Sequence, residues 1–395
     1  MSQKPKDGTV ADLTIANSVI NLIQGDIQEH LPMTHIPLAG DVLGLGTTTS
    51  IDNGELTFLQ NRDNTSAIWR CIAHDGSIVR LSPGDGSSNF PYVCFTADAT
   101  ALRRPVQLSK LGAQEGRPLQ ELVEAAIKAG RQQGTLEDAP VYGVRLVAHW
   151  QELVITVASK LCMGQQRRNK GLVTSNANKA TAERSIYDTL QHYRLSPLSQ
   201  EDTNHPIRYL GRSMHWDCCG FFDTEPERGR VTVPQAGAHL HLHGCSTDLA
   251  YGGHLHHEHA ISRLGALDSM VLYPLRTIQK LSSDLAIEQL RYDKGLINFR
   301  AVNLGALDVN DVGISVVLDD SYSSHRYVRI PWMDAGGSED FAMAWELTPG
   351  AHQIEVIADP EERVIEAARG RENNRLQLKL VVTTAHCTNK KNGAQ

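Results

Sequence analysis

No run of apolar residues in this chain approaches the roughly 20 that a membrane-spanning helix requires, so none is expected. The N-terminal stretch MSQKPKDGTVADL has no apolar core of the kind a secretory signal carries, and the expected compartment is therefore the cytoplasm. A basic excess is also missing: 38 Lys and Arg stand against 45 Asp and Glu, for a formal net charge of −7. Nucleic acid needs a clustered basic footprint, so it is not an expected partner, and neither is a membrane. Cysteine is scarce and odd in number: there are seven, two of them adjacent at Cys218 and Cys219. That pattern excludes a disulfide framework and leaves small buried hydrophobes as the plain reading. What remains, 41% hydrophobic and 21% charged over 395 residues, is an ordinary globular composition of two domains, three at most.

Histidine, by contrast, is concentrated. Residues 239–259 read HLHLHGCSTDLAYGGHLHHEH and hold seven of the 17 histidines. His239, His241 and His243 alternate with Leu240 and Leu242, and in a strand that period of two turns all three rings to one face. A loop, the pair Gly252-Gly253 and His254 follow. A solvated tract would not interleave leucine at strand spacing or end on a glycine turn. Neutral imidazoles converging from neighbouring strands supply the nitrogen ligands of a Zn²⁺-like ion with positions left open. Cys245, two residues beyond His243, is a further candidate for that pocket.

Elsewhere the pattern is mostly extended. Thr14 to Met33 reads as a helix followed by a turn, and Gly40 to Leu59 as two strands joined at Asp52-Asn53-Gly54. Strands are expected at Ala67 to Ala73, Ser77 to Leu81, Tyr92 to Thr96, Val141 to Val147 and Leu153 to Ala158. Pro118 opens a helix with Leu119, Leu122, Val123, Ala126 and Ile127 on one face, ended by Gly130 or Gly134. Within 163–215, Gln165 to Lys170 is a basic polar loop, read as solvated surface, and Thr181 to Tyr193 a second helix. Ser282 to Arg291 reads as a short helix. From Leu296 onward six alternating segments in under 90 residues predict an antiparallel sandwich, with no His, Cys or acidic cluster at ligand spacing. The fold class expected is β-rich α+β, with domains at 1–290 and 291–395.

Three motifs extend this reading. GDVLGLGTTTSIDNGELTFL, VYGVRLVAHW and HLHGCSTDLAYGGH together resemble the acetolactate decarboxylase family over about residues 12–275. The last is the most specific, because it fixes residue types and spacing together. The segments VNLGALDVNDVGISVVLDD and WELTPGAHQIEVIADPEERVIEAARGRENN resemble CARDB-type Ig-like domains over about 296–385. Such domains usually sit on exported proteins, which stands in tension with a signal-less N-terminus.

The first resemblance implies a homodimeric carboxy-lyase holding Zn²⁺ or another divalent transition metal on three histidines. The family's second ligand lies two residues after the first, and the third eleven after the second; His241, His243 and His254 fit both intervals. The preceding AG-x-HLH context instead selects His239 and His241. Glu55, in the GEL block, corresponds to the family's proton-handling glutamate facing the metal. His256, His257 and His259 would support the site or lie at the surface. The family's two substrate-gripping arginines fall at Thr156 and near Leu249, so the usual bidentate carboxylate clamp is missing at both. Arg145, Arg167 and Arg168 are candidate substitutes, and Glu288 is a candidate for a late acidic residue. The expected reaction is decarboxylation of a small 2-hydroxy-3-oxo acid, acetolactate to acetoin. Two rivals remain: a related metalloenzyme acting on another oxo or hydroxy acid, and a non-catalytic metal module whose sandwich domain binds a protein. A fourth ligand such as Cys245 or His239 would close the site and favour the last.

Overall fold

A computed structural model describes residues 11–23, 28–48, 53–72, 75–85, 89–157, 191–196, 207–209, 213–321, 324–364, 366 and 370–383. The chain divides into two compact units, 1–280 and 281–395. The expected boundary at 290/291 lies instead inside the strand Leu285–Asp293. That strand also replaces the helix read at Ser282 to Arg291, because Leu285 and Ile287 pair with Asn303 and Ala301 and enter the core of the second unit.

The fold is β-rich, and in the first unit two sheets carry almost everything. One has seven strands in the order Ile278–Leu281, Leu13–Ala16, Tyr92–Thr96, Gly44–Thr47, Asn53–Gln60, Ser66–Ile72 and Ile78–Arg80. The N-terminal helix is reduced to Val19–Ile23, since Leu13–Ala16 is spent on pairing with Tyr92–Thr96. Asn53 and Gly54, read as turn residues, already belong to a strand. Leu119–Gln132 is a helix, and its buried residues are Leu119, Leu122, Val123, Ala126 and Ile127, the five of the sequence pattern. It stops at Gly134, whose φ of +67° costs other residues more than glycine.

The second sheet is organised by one strand, Val141–Val157, which replaces the two expected there. Its first half pairs with His215–Asp223 on one side and Arg263–Leu275 on the other. His215–Asp223 pairs in turn with Leu240–Ser246, and that with Gly252–Leu255. Gly252–Leu255 then returns to the long strand, with Thr156 opposite His254. The four strands therefore close on themselves, and the histidine hairpin is part of the closure. Of the 163–215 region, Gln165 to Lys170 and residues 181–190 lie outside the described residues, while Gln191–Leu195 is a strand rather than the end of a helix.

The second unit is a sandwich of a three-stranded and a four-stranded sheet. All six segments read from Leu296 onward are strands, and Leu285–Asp293 adds a seventh. Ile297, Phe299, Val312, Ile314, Val316 and Val356 are among the residues that fill its core. Among the described residues of the chain, no helix is long and apolar enough to cross a membrane.

Candidate metal centre

Strand period and hairpin register together assemble the site. His241 and His243 lie two apart on Leu240–Ser246 and so share a face. The hairpin then sets His243 directly opposite His254. The three rings pack with centroids 4.8 to 5.5 Å apart, and one nitrogen of each lies within 4.8 Å of the others. His239 is not brought in: its ring stacks on Phe222 at 5.3 Å, and its Nδ1 lies 2.8 Å from the Asp223 carbonyl.

The glycine turn expected at Gly252-Gly253 is instead part of the strand. The role of these glycines is close approach. A Cβ at Gly253 would stand 2.8 Å from the Thr156 carbonyl, and one at Gly252 would stand 2.6 Å from Ile78 and 2.8 Å from the Cys71 sulfur. Side chains there would push His254 away from its neighbours.

Hydrogen bonding fixes two of the rings. His241 Nδ1 lies 2.6 Å from the Val231 carbonyl, and His243 Nδ1 lies 2.7 Å from the Leu56 carbonyl. A carbonyl only accepts, so each Nδ1 carries the proton, and in the neutral ring each Nε2 keeps a lone pair. These two Nε2 atoms are 3.1 Å apart. Burial pushes the pKa of His241 down to about 4. Burial and neighbouring imidazoles hold His243 and His254 well below the usual histidine value. Neutral rings thus place two acceptors against each other, an arrangement that a cation relieves. Two nitrogens at about 2.05 Å on a tetrahedral Zn²⁺ would sit about 3.3 Å apart, close to the spacing observed. The donor set fits a divalent transition ion.

Glu55, on Asn53–Gln60, is 8% exposed, and its carboxylate comes within 3.5 Å of His243 Nε2. His241 and His254 line a cavity of about 480 Å³. Its wall includes His256, His257, Glu258 and His259, and among its described lining residues there is no Lys or Arg. Glu55 does not line it. His256 bridges Thr156 Oγ1 at 3.0 Å and Glu258 Oε1 at 2.6 Å, and His257 Nε2 lies 3.1 Å from the Leu240 carbonyl. His256 is thus one of the supporting histidines the sequence allows, whereas its partner Glu258 has no signal in the sequence beyond its place in the histidine run.

Other candidates are engaged elsewhere. Arg145 donates to the Phe58 and Val42 carbonyls and pairs with Asp41 at 3.1 Å, so it is a buried structural cation rather than a substitute clamp. Leu249 is exposed beside the hairpin turn with φ +57°. Cys245 is buried opposite Gly252 and is not part of the three-histidine group. Glu288 belongs to the second unit, opposite Arg300. Arg167 and Arg168 lie outside the described residues.

No family model matches the sequence, and no curated protein matches it. Among solved structures, the chain is similar to acetolactate decarboxylase from Bacillus subtilis subspecies spizizenii, at 13% identity and a TM-score of 0.41. That match covers 68% of this chain and 88% of that one. Acetolactate decarboxylase from Bacillus subtilis strain 168 matches at 12% identity and 0.41, covering 68% and 87%. The CARDB domain of PF1109 from Pyrococcus furiosus matches at 17% identity and 0.23, covering 26% of this chain and 96% of that one.

Proposed function

We propose that the first unit is a metal-dependent carboxy-lyase that decarboxylates a 2-hydroxy-3-oxo acid, acetolactate to acetoin being the reaction the sequence motifs imply. The observation that carries this reading is the pair of Nε2 atoms of His241 and His243, 3.1 Å apart with their Nδ1 protons spent on carbonyls. His254 completes the group beside an open cavity. His241, His243 and His254 would hold the ion, Zn²⁺ or another divalent transition metal that accepts three imidazoles. Bound there, it supplies Lewis-acid stabilisation of the negative charge that develops on a ketone oxygen as CO₂ leaves. The carbonyls of Val231 and Leu56 keep two rings in the ligating tautomer. Glu55, 3.5 Å from His243 Nε2, is the carboxyl that would deliver the proton to carbon.

The test is release of CO₂ and acetoin from racemic 2-acetolactate by the metal-quantified full chain, beside His254→Ala. Turnover that disappears with the metal and with His254→Ala is the expected result. No turnover from a protein holding one metal per chain removes this reaction.

A second reading is supported by the clamp positions. Thr156, where a carboxylate-gripping arginine is expected, is hydrogen-bonded to His256, and Arg145 is committed to Asp41. The same centre acting on a different small oxo or hydroxy acid fits these observations.

A further inference from the structure

The cavity beside the histidines has a definite electrostatic character. Glu258 is the one carboxylate among its described lining residues, and no described lining residue is cationic. Its side chain is 58% exposed. Oε1 accepts from His256 Nδ1 at 2.6 Å, whereas Oε2 stands 3.9 Å from His257 Nδ1, beyond a direct hydrogen bond. Oε2 therefore retains acceptor capacity toward the cavity. Burial opposes the charge on Glu258, but the hydrogen bond from His256 and the neighbouring imidazoles outweigh it and bring its pKa down to about 2. The carboxylate is ionised at any neutral pH.

We propose that Glu258 is a specificity-determining residue: it restricts the end of the substrate remote from His241 and His254 to uncharged groups, preferring hydroxyls, and rejects a second carboxylate. The inference rests on the metal-centre reading above and deepens it. On that reading the carboxylate lost in the reaction would sit at the metal, and another part of the substrate in the same cavity would meet Glu258. A hydroxyl there donates to Oε2. A second carboxylate would instead face a like charge across a partly desolvated gap, with no described cation in the wall to offset it, and like-charge juxtaposition is how sites exclude wrong partners. Small monocarboxylates with neutral tails enter; dicarboxylates do not.

The experiment uses the full chain loaded with Co²⁺, whose visible absorption reports ligands entering the coordination sphere. Two probes of equal length are titrated: succinate monohydroxamate, which carries a remote carboxylate, and its uncharged carboxamide analogue. The wild type should bind the carboxamide about five- to tenfold more tightly, the scale expected for a half-exposed like-charge contact. Glu258→Gln, which keeps an acceptor for His256, should reduce that preference to about twofold or less, and Glu258→Asp should preserve most of it. Equal binding of the two probes by the wild type, or an unchanged preference in Glu258→Gln, overturns the proposal. Failure of the protein to take up Co²⁺, or a spectrum insensitive to both probes, overturns the metal-centre reading beneath it.

Discussion

The strand Asn53–Gln60 touches two buried polar clusters, and they differ in kind. Its Leu56 carbonyl accepts from His243, and its Phe58 carbonyl, two residues on, accepts from Arg145. The Arg145 cluster is matched in charge: Asp41 receives Arg103 at 3.0 Å and Tyr273 at 2.6 Å, and pairs with Arg145 at 3.1 Å. Burial disfavours the charge on Arg145, whereas the carboxylates of Asp41 and Asp217 beside it favour that charge. The histidine cluster is not matched. Its carbonyl partners use up the Nδ1 protons and leave lone pairs facing each other. The strand thus borders one cluster in which the protein itself supplies both signs of charge and one that calls for a cation.

The sharpest way to break this contrast is to remove a ring. His243→Ala should lower metal affinity about 100-fold or more, exceeding the effect typical of losing an outer-shell partner, with little change in the fold by circular dichroism; metal analysis after dialysis checks it. Arg145→Met should do the reverse. It removes one of the two guanidinium partners of buried Asp41 and leaves Arg103 and Tyr273, and should cost about 1.5–3 kcal/mol in urea unfolding, while the folded fraction still takes up one metal per chain.

The pH dependence separates the clusters again. His241 has a folded pKa near 4 and an unfolded value near 6.5. Between those values the unfolded chain binds a proton that the folded chain does not. The metal-free protein should therefore lose stability as pH falls from about 6.5 toward 4, and the contribution of His241 itself should not change above that window. Thermal melts of metal-free protein at stepped pH check the sign; a stability that rises on acidification would contradict it.

The smallest effect is expected at a histidine of the second unit. His352 lies 2.8 Å from Asp319 and 2.7 Å from the Thr348 carbonyl, and the Asp319 contact, then that carbonyl, raise its pKa. Its contribution should be present below about 6.5 and fade as pH rises through the raised value. His352→Ala should change stability by less than about 1 kcal/mol, as exposed pairs do, measured in the same melts.

Much of this was legible in the sequence for a physical reason: period two at His241 and His243, and the i, i+3, i+4 pattern after Pro118, are direct images of strand and helix geometry. The sandwich segments were legible on the same ground. What could not be read was long-range. Which of His239 and His243 joins His254 depends on hairpin register; the intervals pointed to His243 and the AG-x-HLH context to His239, with no local feature to decide between them. Gly252-Gly253 read as a turn because close packing against Thr156 and Cys71 has no local signature. Ser282 to Arg291 read as a helix because its hydrophobic residues suit either period until Leu296–Asn303 pairs with it. Arg145 read as a spare clamp because nothing nearby in sequence announces Asp41.

The most direct test of the account is the metal content of the purified full chain, followed by the visible spectrum of its Co²⁺ form with and without acetohydroxamate. The account predicts one metal per chain, lost in His243→Ala and His254→Ala but retained in His239→Ala, and a spectrum that shifts when the chelator enters. A chain that retains no metal, or a Co²⁺ spectrum that the chelator leaves unchanged, would contradict an open three-histidine centre.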